Sequence, residues 1–141
     1  MKTNFDRRKS LQELEQDDWG KPTFDSHLVR TCHRLRQMPI EDFETEDLRI
    51  MIGQQISLMF LIPLAIEKLE ADPLVEGNDY PGDLLNAVLA VPANFWSVHT
   101  DWRNALRRIV DKTNELLVSI AEDDAHLIRE TLAKAPHALL D

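Results

Sequence analysis

Apolar residues recur along this chain in steps of three and four, the spacing that places side chains on one face of an α-helix. The longest such stripe covers residues 101–120, and a shorter one contains Leu28, Cys32 and Leu35. No segment shows the alternation of apolar and polar residues, bounded by hairpin turns, that is typical of a β-strand. The pattern therefore predicts an all-α protein, an irregular single-domain bundle of about six to eight helices.

Capping residues and helix breakers set the limits of the predicted helices. Ser10 and Glu13 have the spacing of a capping box, and residues 72–82 hold two prolines and two glycines and are predicted to form a loop. Residues 1–9 are polar and predicted to be disordered, whereas residues 10–141 are predicted to form one domain. The predicted helices are residues 11–16, a segment from an N-cap at Asp25 to Pro39, a segment capped by Thr45, residues 63–71 with Pro63 in the first turn, residues 83–91, a single turn after Pro92, residues 101–120 after an N-cap at Thr100, and residues 123–134.

The net charge of −9 is concentrated in one part of the chain. Residues 41–83 contain 11 acidic and two basic side chains, while acids and bases are equal in number in the remainder. An acidic surface repels nucleic-acid phosphates and attracts a basic protein, whose association it accelerates. The charge therefore disfavours direct binding of nucleic acid and favours a basic protein partner. In the alternative interpretation, the acidity serves solubility alone.

The sequence predicts no membrane-spanning segment and fits a cytoplasmic protein. Its longest apolar run, residues 58–66, is nine residues long, whereas a membrane-spanning helix needs about 20. The N-terminus lacks the apolar core of a secretion signal, and the single cysteine, Cys32, allows no intramolecular disulfide. Cys32 lies on an apolar stripe and is predicted to be a buried core residue.

Motifs that would carry catalysis or bind a cofactor are missing from the sequence. It contains no phosphate-binding glycine loop, no dinucleotide fingerprint, no H-E-x-x-H and no G-x-S-x-G. The carboxylates of residues 41–47 lack the glycine-centred spacing of an EF-hand loop. We therefore predict no catalytic residue, no metal and no cofactor. One alternative is a small metal-dependent enzyme that uses these carboxylates with His99 or His126.

Several short stretches, in this order, resemble one known protein family. They are LEQDDWG at residues 14–20, DSHLV at 25–29, TEDLRIMIGQQ at 45–55, PLAIE at 63–67 and DYPGDLL at 79–85. Over roughly residues 10–95 the chain resembles the immunity proteins of bacterial contact-dependent growth inhibition (CDI) systems, the CdiI type. The resemblance implies a cytoplasmic, non-enzymatic protein that binds and blocks the C-terminal toxin domain of its cognate CdiA effector. Such toxin domains are often nucleases with basic surfaces.

We expect the toxin contacts to lie on the acidic stretch. Tyr80 is predicted to be an aromatic anchor, because tyrosine is enriched at interface hot spots. Trp19 and Tyr80 both adjoin acidic residues, and for both burial within the domain is the alternative to binding; Trp102 is predicted to be core. The sequence assigns no oligomeric state, and a helical adaptor or oligomerisation module remains a further alternative. The candidate contact residues are Glu41, Asp42, Glu44, Glu46, Asp47, Glu76, Asp79, Tyr80 and Asp83.

Overall fold

The computed structural model describes residues 5–135, which fold into eight α-helices without a β-strand among them. The predicted fold class, an all-α bundle of about six to eight helices, is confirmed. Two short 3-10 helices, Ile40–Asp42 and Leu117–Ser119, lie between the others. The α-helices are α1 (Leu11–Glu15), α2 (His27–Arg36), α3 (Thr45–Gly53), α4 (Leu58–Ala71), α5 (Asp83–Leu89), α6 (Ala93–Val98), α7 (Thr100–Leu116) and α8 (Glu122–Leu132).

The core is built around α3, α4 and α5, which pack against one another. α7 packs on α4, α8 packs on α5, and α1 and α2 lie at the α3 side of the bundle. The side chains at the centre, among them Leu48, Ile62 and Leu85, are fully buried. Each such side chain contributes about 1.5–3 kcal/mol by its removal from water. The most extensive helix contact joins α3 to α5, which begin near the two ends of the acidic stretch of residues 41–83.

The capping box predicted at the start of α1 is confirmed. The Glu13 backbone N–H donates to Ser10 Oγ at 3.2 Å, and the Ser10 backbone N–H donates to Glu13 Oε1 at 3.1 Å. Ser10 is itself buried. The two bonds satisfy backbone donors that the first turn of a helix otherwise leaves unpaired.

Ser10→Ala is expected to lower the free energy of unfolding by about 1 kcal/mol, because it removes the side-chain acceptor of this cap. Urea denaturation measures the change. Ser97→Ala is the matched control, since Ser97 is exposed and its hydroxyl donates to the Ala93 carbonyl within α6. Equal losses in the two variants would contradict a specific role for the cap.

The predicted N-cap of α2 is wrong by one residue. Ser26 caps the helix, because its Oγ accepts from the Val29 backbone N–H at 3.1 Å. Asp25 instead forms an ion pair with Arg30. A carboxylate and a hydroxyl are both good N-caps, and here the arginine one turn into the helix draws the carboxylate away from the helix end.

The predicted cap of α3 is also displaced. Thr45 is the first residue of the helix and Glu44 is the N-cap. The Glu44 backbone N–H donates to Asp47 Oδ2 at 2.9 Å. Asp47 therefore closes the helix start from within, in the way that the third residue of a capping box does.

The longest helix, α7, begins and ends earlier than predicted. Its N-cap is His99 instead of Thr100, and it ends at Leu116 instead of continuing to Ile120. A 3-10 turn follows, in which the Ser119 hydroxyl donates to the Leu116 carbonyl at 3.1 Å. The Leu116 carbonyl thus accepts from a side chain instead of from a backbone N–H of a continuing helix. The α-helix therefore ends here, although the apolar spacing continues.

Helix α4 starts before the position predicted from Pro63. The helix begins at Leu58, so Pro63 lies inside it and is buried. Proline lacks the N–H that an interior helical position needs, which normally costs about 3 kcal/mol or more. The neighbouring side chains of Ile62 and Leu64 are buried in the core, and this packing offsets the lost bond. Tertiary burial has therefore overridden local helix preference.

The N-terminal segment lies against the bundle as far as the structure describes it. Phe5 contacts the Phe60 ring edge-on at 5.2 Å between centroids, and Arg7 forms a bidentate ion pair with Glu67 at 2.7 Å. These contacts involve residues 5 and 7, and disorder of the whole segment 1–9 stays a prediction. Residues 1–4 and 136–141 lie outside the described part of the chain. Among the described helices, none combines the length and the apolar character required to cross a membrane.

Candidate functional site

The two acidic segments of the sequence meet on one surface. Residues 41–47 precede and open α3, residues 76–83 precede and open α5, and α4 separates them in sequence. Packing of α3 on α5 brings the segments together. The Asn78 backbone N–H donates to Glu46 Oε1 at 3.0 Å and joins them directly. We call the carboxylates of residues 41–47 and 76–83 the acidic surface.

Asp83 organises the loop that carries half of this surface. Its side chain is only 2% exposed, and its carboxylate accepts backbone N–H bonds from Gly77 at 2.7 Å, Asp79 at 3.1 Å and Tyr80 at 3.4 Å. Gly82, immediately before it, has φ +88°, a left-handed conformation that glycine adopts without strain. Asp83 therefore bends residues 77–80 around its own carboxylate instead of contacting solvent.

Arg49 is the cation at the centre of the acidic surface. Its Nε and Nη2 donate to the two oxygens of Glu46 at 2.6 and 2.5 Å. Its Nη1 lies 3.3 Å from Asp79 Oδ2, and its Nε lies 3.8 Å from Asp83 Oδ2. The hydrogen bonds with Glu46 raise the pKa of Arg49 and lower the pKa of Glu46. One positive charge thus faces three carboxylates, and the cluster stays negative.

Gly77 lies where the two carboxylates approach the loop. A Cβ at this position would lie 2.7 Å from Glu46 Oε1, which would have to shift, and 3.1 Å from Asp83 Oδ2, a tight contact. From the sequence alone, Gly77 is one of two glycines in a predicted loop and Arg49 is one of two bases in an acidic stretch. The sequence feature that could have indicated a structural role for Arg49 is that only one other base accompanies it among the 11 acids of residues 41–83.

Tyr80 lies partly buried beside this cluster. Burial, and then the charges of Asp83 and Asp79, raise the pKa of its hydroxyl. Tyr80 therefore keeps its proton at neutral pH and presents a hydroxyl that can donate a hydrogen bond.

The remaining candidate carboxylates divide by exposure. Glu41, Asp42, Glu44, Glu76 and Asp79 are exposed, whereas Glu46 and Asp47 are half-buried. Glu41 and Asp42 lie in the 3-10 helix, which is fixed to the N-terminal segment because the Glu41 backbone N–H donates to the Arg7 carbonyl at 2.9 Å. The nine predicted residues thus comprise an exposed set and a set that holds the surface in shape.

The alternative metal site is not assembled. His99 stacks on Trp102 with ring centroids 4.7 Å apart, and His126 Nε2 lies 3.2 Å from Glu130 Oε1. Across residues 5–135, no group of three or more His, Cys, Asp or Glu side chains is placed to hold a metal ion. Neither histidine therefore joins the acidic surface as that alternative required.

The aromatic and cysteine predictions have different outcomes. Cys32 is buried, as predicted, and burial raises the pKa of its thiol. Trp102, predicted to be core, is only partly buried and packs against the core edge, while Trp96 is fully buried. Trp19 is 40% exposed and lies outside the core. The spacing that marked Trp102 is helical, but α7 has one solvent-facing side, which leaves this ring at its margin.

Comparison with known proteins identifies the family. The family model of CDI immunity proteins matches residues 13–106, which is more than half of the chain and includes the whole acidic surface. Neither the curated proteins nor the solved structures give a match. The matched range begins within α1 and ends within α7, so it extends past the residues on which the resemblance rested. The chain therefore belongs to the family of CDI immunity proteins, which are non-enzymatic inhibitors of toxins.

Proposed function

We propose that this protein neutralises the C-terminal toxin domain of its cognate CdiA effector by binding it directly through the acidic surface. We further propose that the toxin domain is a nuclease with a basic binding face. Family membership supports the first step, because immunity proteins of CDI systems act on CdiA toxins. The observation that supports a basic binding face is that carboxylates from two separated segments converge around a single arginine.

The proposal gives the carboxylates of the acidic surface two roles. The exposed group contacts the basic face of the toxin, and Tyr80 serves as an anchor beside it. Glu46, Asp47 and Asp83 hold the surface in shape through the bonds that they accept from backbone N–H groups. The exposed contact group comprises Glu41, Asp42, Glu44, Glu76 and Asp79.

Charge complementarity of this kind acts mainly on the association rate. Opposite charges steer the encounter, and the rate then falls as salt screens them, with a Debye length of about 10 Å at 0.1 M. A single exposed carboxylate contributes little to the equilibrium constant, because exposed pairs are worth about 0–1 kcal/mol. The surface must therefore be tested as a group.

A fourfold variant with Glu41→Gln, Asp42→Asn, Glu44→Gln and Glu76→Gln tests the group. We expect the association rate with the purified CdiA C-terminal toxin domain to fall about tenfold at low salt, because the steering charges are removed. We also expect its dependence on salt to weaken. Stopped-flow fluorescence measures both, and a nuclease assay of the toxin domain tests the proposed activity.

The matched control removes the same number of charges elsewhere. Asp101→Asn, Asp111→Asn, Glu115→Gln and Asp123→Asn all lie at exposed positions of α7 and α8. This variant is expected to keep an association rate within about twofold of the wild type. If both variants slow association equally, net charge and not the acidic surface is responsible. A toxin domain without nuclease activity would refute that part of the proposal while leaving the binding surface intact.

A further inference from the structure

The acidic surface lies at the N-terminal end of α3. An apolar patch lies beyond the C-terminal end of the same helix. It consists of Trp19, Phe24 and Leu28, whose exposed fractions are 40%, 72% and 42%. They line a cleft of about 280 Å³ together with Val29 and Cys32. Small-molecule pockets usually measure about 300–1,000 Å³ and are enclosed, so this cleft suits a single protruding side chain better than a metabolite. Exposed apolar groups that cluster in this way mark interaction sites.

Trp19, one wall of the patch, is held in place before any partner arrives. The Arg36 guanidinium lies 4.3 Å from the Trp19 ring centroid, and the His33 ring packs against the same indole at 5.2 Å between centroids. Arg36 Nη2 donates to the Asp17 carbonyl at 2.5 Å, and His33 Nδ1 lies 3.3 Å from the Gly20 carbonyl. An anchor that is already ordered loses little entropy on binding, so it contributes more of its contact energy to affinity.

The patch and the acidic surface can be covered by one partner. Gln54, which lines the cleft, lies seven residues after Asp47 along α3 and its C-cap. Seven residues make about two helical turns, so the two positions share a face and are separated by roughly 10 Å along the axis. A standard interface buries about 800 Å² on each partner, which is large enough to include both.

The charges around the patch differ from those of the acidic surface. Acids and bases are mixed here, with Asp18, Lys21 and the Asp25–Arg30 ion pair near the cleft. Such a rim does not attract a basic partner by charge, but it can surround an apolar contact with polar groups, as interface rims do. The patch is therefore suited to hold a partner that other charges have steered.

We propose that the apolar patch receives an apolar side chain of the same CdiA toxin domain that the acidic surface attracts. This inference rests on the proposed function and deepens it by assigning a different kinetic role to each of the two surfaces. The acidic surface sets the association rate. The apolar patch sets the dissociation rate, because desolvated aromatic anchors dominate the binding energy of interfaces.

Phe24→Ala tests the proposal, with Val118→Ala as the matched control. Both side chains are exposed apolar groups, at 72% and 91%, so neither substitution should unfold the protein, and circular dichroism checks that. Biosensor kinetics with the purified CdiA C-terminal toxin domain are expected to show dissociation faster by about tenfold or more for Phe24→Ala. Association, its salt dependence and the Val118→Ala control should stay within about twofold of the wild type.

The outcomes separate this inference from the proposed function. Unchanged dissociation in Phe24→Ala and in a second variant, Leu28→Ala, would overturn the patch as an anchor, even where the fourfold acidic variant associates slowly. Failure of the wild type to bind the toxin domain at all would overturn both proposals. Light scattering supplies the third result. A wild-type dimer that Phe24→Ala converts to a monomer would assign the patch to self-association instead of toxin binding.

Discussion

Asp83→Ala is expected to lower the free energy of unfolding by about 3 kcal/mol, a large effect for one exchange outside the apolar core. The buried carboxylate accepts three backbone N–H bonds and lies 3.8 Å from Arg49. Hydrogen bonds to a charged group each contribute about 1.5–3 kcal/mol, but backbone donors that regain water recover part of this. The loop of residues 77–80 should therefore lose its fixed shape. Urea denaturation measures the stability loss.

The same variant should also bind the toxin domain more weakly, because Asp79 and Tyr80 would no longer be held beside Arg49. Glu76→Ala is the control for stability, since Glu76 lies in the same loop and is exposed, so its loss should change the free energy of unfolding by no more than about 0.5 kcal/mol. An Asp83→Ala protein as stable as Glu76→Ala would show that the loop does not depend on this carboxylate.

Glu15→Ala is expected to lower the free energy of unfolding by about 2–3 kcal/mol. Arg36 is 3% exposed in its side chain and forms an ion pair with Glu15, with Ser57 Oγ a further acceptor at 3.4 Å. Its Nε has no hydrogen-bond partner within the described residues. Glu15 is partly exposed, but its removal leaves the buried Arg36 guanidinium without its counter-ion, and an uncompensated buried charge is costly. Thermal or urea denaturation measures the loss.

A double-mutant cycle tests whether the cost arises from the pair. Arg36→Met keeps much of the side-chain volume without the charge, so the double variant with Glu15→Ala should lose less stability than the two single variants added together. Glu122→Ala is the control, because its pair with Arg129 at 3.0 Å is exposed on both sides and should contribute under about 1 kcal/mol. Additive losses in the cycle would show that Arg36 and Glu15 are not coupled.

Most of the fold could be predicted because helical spacing and capping chemistry are local properties. Ser10 and Glu13 define the start of α1 by their own spacing, and the stripe of residues 101–120 marks α7. The errors occur where a longer-range contact or a local competitor decides. Asp25 pairs with Arg30 instead of capping α2. Pro63 is tolerated inside α4 because the residues around it are buried. Single-sequence patterns do not contain those contacts.

The candidate site could be predicted only in part, for a related reason. Charge density along the sequence marked residues 41–83 as unusual, but it could not separate carboxylates that face solvent from those used internally. Asp83 is the clearest case, because only the packed structure shows that its carboxylate is buried under the backbone of residues 77–80. The apolar patch was likewise hidden, because Trp19 and Leu28 lie in patterns that equally suit core residues.

Hydrogen–deuterium exchange of this protein, free and bound to the purified CdiA C-terminal toxin domain, shows whether the acidic surface is covered by the toxin. Backbone amides report local protection residue by residue or peptide by peptide. We expect slower exchange in residues 41–47 and 76–83 in the complex, with residues 122–132 unchanged. Protection confined to residues 100–132, with the acidic surface as accessible in the complex as in the free protein, would contradict it.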